Sequence, residues 1–151
     1  MATITEDYVS FETAKLLKEK GFKEWCRRCY GVAVLHNGED ISFDEECDLK
    51  DEGRENEIEY VEGGTFYYLN CNNDDEDTNV WAAPTLQMAM KWLREVKHYY
   101  IQVSIQNDGT YIGYIYRTDG FPYVGWDKRR VKETPEEAYE TTIKYCLENL
   151  I

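Results

Sequence analysis

The residues of this chain with chemistry to offer are five cysteines, two histidines and a dense run of carboxylates. Trp25-Cys26-Arg27-Arg28-Cys29 has the two-residue spacing of a dithiol redox motif. That chemistry needs a thiolate at a helix N-terminus, where the helix dipole lowers its pKa. Here a predicted helix precedes the motif and a predicted strand follows it, which is the reverse order. The same spacing suits two zinc ligands, and Cys47, Cys71 or His36 could complete a set of four. A structural zinc site generally carries a second short pair, and the sequence has none. Calcium is tested by the loop that starts at Asp48. Gly53 falls at the sixth position and Glu59 at the twelfth, but Lys50 takes a ligand position and Glu55 stands where an apolar residue belongs. His36 precedes a predicted turn and His98 ends a predicted helix, with no serine or cysteine placed to act as nucleophile beside either. No phosphate-cradling glycine loop is present. The reading is two semi-buried thiols, a solvated acidic loop, no metal, no cofactor and no catalytic residue.

The carboxylates are concentrated in one place. Between Glu39 and Asp77 stand sixteen of the thirty Asp/Glu but only two of the seventeen Lys/Arg, Lys50 and Arg54. This window therefore carries −14 against −13 for the whole chain, and the remainder is close to neutral. Such a window repels nucleic acid and anionic membrane and attracts cations or basic protein surfaces. Asp44, Glu45, Glu46 and Asp48, with Asp74, Asp75, Glu76 and Asp77, are the candidate contact residues. Lys128, Arg129 and Arg130 belong to the one basic run and are candidate charge partners, in the same molecule or a neighbour. Surface pairs of this kind contribute about 0–1 kcal/mol each, so they tune association without holding a fold.

The expected function is thus non-enzymatic: an accessory protein that binds another protein of basic surface through its acidic surface. In one form the acids imitate the charge of nucleic acid. The alternative is a metal-binding or enzymatic module using Cys26, Cys29, His36 and the acidic loops. A homodimer through sheet edges or the Met88/Trp92 face is a further expectation; nucleic acid and membrane are not expected as partners. Tyr100, Tyr114 and Tyr116 could stack bases, but no positive field surrounds them, and cross-strand packing is the simpler reading.

The elements that position these groups follow from periodicity. The 151 residues, 42% apolar and 15% aromatic, are read as one domain spanning 1–151 with an acidic insert at about 39–77. The N-terminus has no basic region or apolar run and is not expected to be a signal peptide. A cytoplasmic protein with reduced thiols is expected. Ser10 caps a helix from about Phe11 to Lys20, and Gly21 with Phe22 supplies a left-handed ending. Tyr30–His36 reads as a strand, Asn37-Gly38 as a tight turn and Ile41–Phe43 as the return. Ile58–Val61 and Thr65–Asn70 form a second pair of strands. A helix from Pro84 or Thr85 to Lys97 carries Leu86, Ala89, Met90, Leu93 and Val96 on one face, widened by Met88 and Trp92. Tyr99–Gln106 alternates, with Ile101, Val103 and Ile105 on one side and Tyr100, Gln102 and Ser104 on the other, turns at Asn107-Asp108-Gly109, and returns over Tyr111–Tyr116. A third strand lies within Tyr123–Val131. Thr134, Pro135 and Glu137 then start a last helix with Tyr139, Ile143, Cys146, Leu147 and Leu150 as its stripe. The order α-β-β-(β-β)-α-β-β-β-α makes an α+β fold, antiparallel sheets with helices packed on one face.

Three stretches carry a family likeness: Tyr8–Phe22, Ala83–Val96 and the Thr134–Ile151 ending. Together they resemble a family of small uncharacterised proteins from prophages and mobile elements of gut Bacteroidetes. The resemblance covers about half the chain and excludes the acidic middle. It implies a bacterial cytoplasm and a mobile-element setting, with no activity and no catalytic residues to carry over. From Leu86 to Ile151 the order α-β-β-β-α is also similar to that of a double-stranded-RNA-binding domain. Such domains place basic residues at the start of the last helix. Here Glu133-Thr134-Pro135-Glu136-Glu137 has the opposite sign, which repels phosphate.

Overall fold

Ser10 starts the first helix, α1 (Phe11–Glu19), by accepting a hydrogen bond from the Thr13 backbone N–H. The helix ends as its composition predicts. Gly21 takes φ +94°, the Phe22 N–H donates to the Leu17 carbonyl at 2.9 Å, and the Gly21 N–H donates to that of Lys18 at 3.2 Å. This double closure is a Schellman ending, and the Leu17 and Phe22 that flank it are fully buried. These atoms belong to a computed structural model that describes residues 7–31, 34–36, 39–41, 58–61, 64–74, 80–118, 122–124 and 131–151.

The single strand expected over Tyr30–His36 is two strands. β1 (Cys26–Gly31) begins four residues earlier, and β2 (Val34–His36) pairs with β3 (Glu39–Ile41) in a ladder of its own, His36 opposite Glu39. Arg27 and Arg28 disguised the start of β1. They leave Arg27 exposed and Arg28 half-buried while Cys26, Cys29 and Tyr30 are buried. β4 (Ile58–Val61) and β5 (Gly64–Cys71) pair as expected, Val61 opposite Gly64. β6 (Val80–Ala82), three residues long, showed no period in the sequence. β4, β5, β1 and β6 make one antiparallel sheet in that order, so two of the three described strands of the acidic window, β4 and β5, share a sheet with β1, and β3 does not.

Asn73 ties this sheet together. It is buried, donates to the Phe22 carbonyl at 2.9 Å and accepts from the Ala82 N–H at 2.9 Å. Both polar ends of the amide are thus satisfied, as burial requires. Tyr30 donates its hydroxyl to the Val9 carbonyl at 2.7 Å. Residues 7–9 in turn hold residues 84–86: the Val9 N–H donates to the Pro84 carbonyl and the Leu86 N–H to that of Asp7.

Thr85 caps α2 (Leu86–Val96) by accepting from the Met88 N–H. Leu86, Ala89, Trp92 and Leu93 are buried, but Met88 and Val96 are exposed, so the buried stripe is narrower than the apolar pattern. His98 then takes φ +66°, a left-handed value uncommon outside glycine. β7 (Tyr99–Ile105) and β8 (Tyr111–Arg117) form a full antiparallel hairpin, Tyr99 opposite Arg117 and Ile105 opposite Tyr111. Its turn closes with the Gln106 N–H on the Thr110 carbonyl and Gly109 at φ +85°. The Thr110 hydroxyl and amide donate to the Asp108 carboxyl and hold it below its ordinary pKa. Of the isoleucine side Ile101 is buried, whereas Ile105 at the far end is 66% exposed.

The third strand expected over Tyr123–Val131 is interrupted. β9 (Pro122–Val124) pairs with β8 at Ile115 and Tyr116, and β10 (Val131–Lys132) pairs with it at Ile112 and Tyr111. Six residues, 125–130, separate the two pieces in sequence while β8 advances by two, Gly113 and Tyr114, and those six lie outside the described residues.

Thr134 and Pro135 open α3 (Pro135–Asn149), with the Thr134 hydroxyl accepting from the Glu137 N–H. α3 packs over β8 and β7, α2 packs against β7 and α3, and α1 packs against α3 and β6. Gly113 permits this: a Cβ there would collide with Thr142 of α3. Leu17, Phe22, Leu93, Ile101, Ile115, Ile143 and Leu147 share one core that draws on α1, α2, α3, β7 and β8. The fold is α+β, with antiparallel sheets and helices packed on them. No described helix is long and apolar enough to cross a membrane.

Candidate functional site

β1 carries the pair of cysteines that looked most like a redox or metal motif. Both are buried in an interior strand, Cys29 opposite Tyr67 of β5 and Ala82 of β6, Cys26 opposite Cys71. Neither opens a helix as the redox motif requires, since β1 follows the non-helical residues 22–25 and both cysteines lie within the strand. Burial, then the adjacent Cys71 and Glu24, push the Cys26 thiol up to about 12. Burial alone does the same to Cys146 on α3. Both are protonated at neutral pH, and a protonated thiol is a poor nucleophile and metal ligand. Among the described residues no group of three His, Cys, Asp or Glu could hold a metal ion. His36 lies in β2 opposite Glu39, and His98 is an exposed residue at the end of α2. Cys47 lies outside the described residues.

Of the acidic contact candidates, Asp74 is described. It is exposed, its carboxylate accepts from the Asn72 side-chain amide at 2.8 Å, and its N–H donates to the Asn72 side-chain oxygen at 3.2 Å. The fold thus delivers Asp74 directly beside the buried Asn73. Asp44, Glu45, Glu46, Asp48, Asp75, Glu76 and Asp77 lie outside the described residues, as do Lys128, Arg129 and Arg130. The last three fall between β9 and β10 in the sequence. Among the described residues of the window, β4, which carries Glu59, is the outer strand of its sheet with β5 next to it, while Glu39 and Asp40 lie in β3 of the separate two-stranded ladder.

Sequence reasoning missed a groove at the β1–β5 ladder end. Trp25, 65% exposed, precedes Cys26, and Met88, 38% exposed, stands on the first turn of α2. With Tyr8, Arg27 and Pro84 they line a hollow of about 350 Å³. Arg28 stacks over the neighbouring Tyr8 ring at 5.2 Å. Cys26 joins the two sides, its sulfur 3.9 Å from the Met88 sulfur. Exposed Trp and Met are the side chains that interfaces favour. The available signal was Trp25 in a polar stretch, Lys23-Glu24-Trp25, with no periodic apolar neighbour to bury it. Exposed acids stand nearby in the chain: Glu24 next to Trp25, and Asp74 three residues past Cys71, the strand partner of Cys26.

A second hollow, of about 450 Å³, lies where Tyr100 and Tyr116 pair across β7 and β8, with Arg94 and Arg117 at its margin. Arg94 is 3.7 Å from Glu95. The tyrosine pairing is the cross-strand packing expected of a sheet face. No family model, curated protein or solved structure matches the chain.

Proposed function

We propose that this chain is a non-enzymatic interaction protein that binds a partner protein of basic surface through its acidic window. The observation that carries the reading is charge localisation, −14 within residues 39–77, together with the position of β4 and β5 on one flank of their sheet. Carboxylates gathered in one stretch of the chain make a field that speeds encounter with a positive surface and rejects polyanions. The Trp25/Met88 groove supplies what charge alone lacks, an apolar anchor that excludes water at the centre of a contact. A partner that ordinarily grips nucleic acid presents such a basic surface. In the mobile-element setting of the family the sequence resembles, occupying it gives a counter-defence or regulatory role in the cytoplasm. Nothing among the described residues favours the metal-binding or enzymatic alternative.

The test is binding of the purified chain to a panel of basic nucleic-acid-binding domains by calorimetry. We expect saturable binding that weakens about tenfold or more between ~0.05 and ~0.3 M salt. Neutralising Asp44, Glu45, Glu46, Asp48, Asp74, Asp75, Glu76 and Asp77 to amides abolishes it, and Trp25→Ala weakens it. Binding that ignores both salt and the amide substitutions refutes the reading.

A further inference from the structure

Cys26 opens β1 and Cys71 closes β5, and the two are direct partners in the antiparallel register. Direct partners put their side chains on the same face with Cα atoms about 4.5–5.5 Å apart. A disulfide spans Cα separations of about 4.4–6.8 Å, so this register position is one a bridge fits. Two features give the pair room to adjust. Both residues end their strands, and the register shifts between Cys26 and Arg28. The Cys26 thiol donates to the Glu24 carbonyl at 3.6 Å and lies 3.9 Å from the Met88 sulfur, and the Cys71 thiol donates to the Arg28 carbonyl at 3.7 Å. S–H is a weak donor, so these hydrogen bonds are weak ones. Both are thiols in the structure, Cys26 buried and Cys71 half-buried. Cys29 and Cys146 are fully buried in the core.

We propose that Cys26 and Cys71 close reversibly into a cross-strand disulfide, making the β1–β5 ladder end an oxidation-sensitive latch. The oxidant is a small disulfide such as oxidised glutathione. The Cys71 thiolate, the more accessible, attacks one sulfur of the oxidant and displaces the first glutathione thiolate, which takes up the Cys71 proton. The Cys26 thiol then loses its proton and attacks the Cys71 sulfur, and the second glutathione thiolate leaves with that proton. Two protein thiols are oxidised and one glutathione disulfide is reduced to two thiols. The protonated state of Cys26 makes closure the slow step, faster as pH rises. The contribution of Cys71 to that state disappears once its sulfur is bonded. The bridge encloses residues 27–70, which hold twelve of the sixteen carboxylates of the acidic window. This inference stands independently of the docking role.

Equilibrate the full chain with excess oxidised glutathione, block residual thiols by alkylation, digest with trypsin and analyse by mass spectrometry. The expected product is the peptide 24–27 joined to the peptide that carries Cys71, about 2 Da below the summed thiol masses and released by dithiothreitol. Closing so long a loop raises the melting temperature by about 10 °C. That rise disappears in Cys71→Ser, a half-buried position, while Cys146→Ala keeps it. Recovery of Cys26 and Cys71 as alkylated thiols overturns the proposal. So does a glutathione adduct on Cys71 that never resolves, or a bridge from either residue to Cys29, Cys47 or Cys146.

Discussion

Replacing Gly113 with alanine reverses an ordinary expectation and so tests the packing of the second sheet. In a strand interior, Ala in place of Gly stabilises by about 0.5–1 kcal/mol, because the unfolded glycine has more freedom to lose. Here a Cβ on residue 113 would overlap the Thr142 hydroxyl outright and stand 2.7 Å from Thr142 Cβ and 3.0 Å from Cγ2. Thr142 cannot swing clear easily. It is fully buried, and its hydroxyl donates to the Ala138 carbonyl at 2.7 Å. Either the side chain abandons that bond or α3 lifts off β8, and overpacking of this kind costs about 1–3 kcal/mol, sometimes more. The net expectation for Gly113→Ala is a loss of about 2 kcal/mol. That lowers the urea midpoint by roughly 1 M and the melting temperature by about 4–8 °C. Thr142→Ala removes two of the three colliding atoms, so the double variant recovers at least about 1 kcal/mol relative to additivity. Urea unfolding of the four proteins in this cycle measures both quantities. If Gly113→Ala is as stable as the parent, or the cycle shows no coupling, α3 does not sit against β8 as described.

Three further outcomes are expected. His98→Gly relieves a side chain at φ +66° and raises stability by about 1 kcal/mol, whereas Gly21→Ala at φ +94° lowers it by about as much, both read from urea midpoints. Glu140→Ala costs about 1–3 kcal/mol, because Glu140 Oε1 accepts from the buried Thr13 hydroxyl at 2.6 Å and from the Ser10 N–H at 2.9 Å and so joins α3 to α1. Because the Cys26 and Cys146 thiols are raised to about 12 in the folded protein, against 9.0 ordinarily, the unfolded chain gives up its protons first. Their contribution is complete below pH 9 and is lost as pH climbs toward 12, so urea midpoints fall over that window, less steeply in Cys146→Ala.

Local signals in the sequence matched the structure wherever one residue type has one physical use. Ser10, Gly21, Thr85, Thr134 and Pro135 each mark a helix end, because capping is settled within a few residues of chain. The β7–β8 hairpin was equally legible, since alternation and the Asn107-Asp108-Gly109 turn agree. What escaped depends on distant neighbours. β1 buries Cys26, Cys29 and Tyr30 on either side of Arg27 and Arg28 because β5 and β6 flank it. Met88, Val96 and Ile105 sit in apolar patterns, yet nothing in a pattern says where the covering element stops. Gly113 reads as a weak point of a strand until α3 is laid on it. The groove at Trp25 was hidden for the same reason: its far wall, Met88, is sixty-three residues away in the chain. The Cys26–Cys71 pairing was hidden too, because register across so long a separation is set by the ladder and not by either residue.

The double engagement of Asn73 has a bearing on how this molecule can change. Its amide pins Phe22 on one side and Ala82 on the other, so the stretch that leaves at Asp74 and returns at Val80 begins and ends on fixed posts. Neither of the two Asn73 bonds draws on a side chain in 75–79, so a substitution there removes no partner from either post. Selection acting there is free to follow a moving target, and an engineer can graft a foreign epitope at the same place.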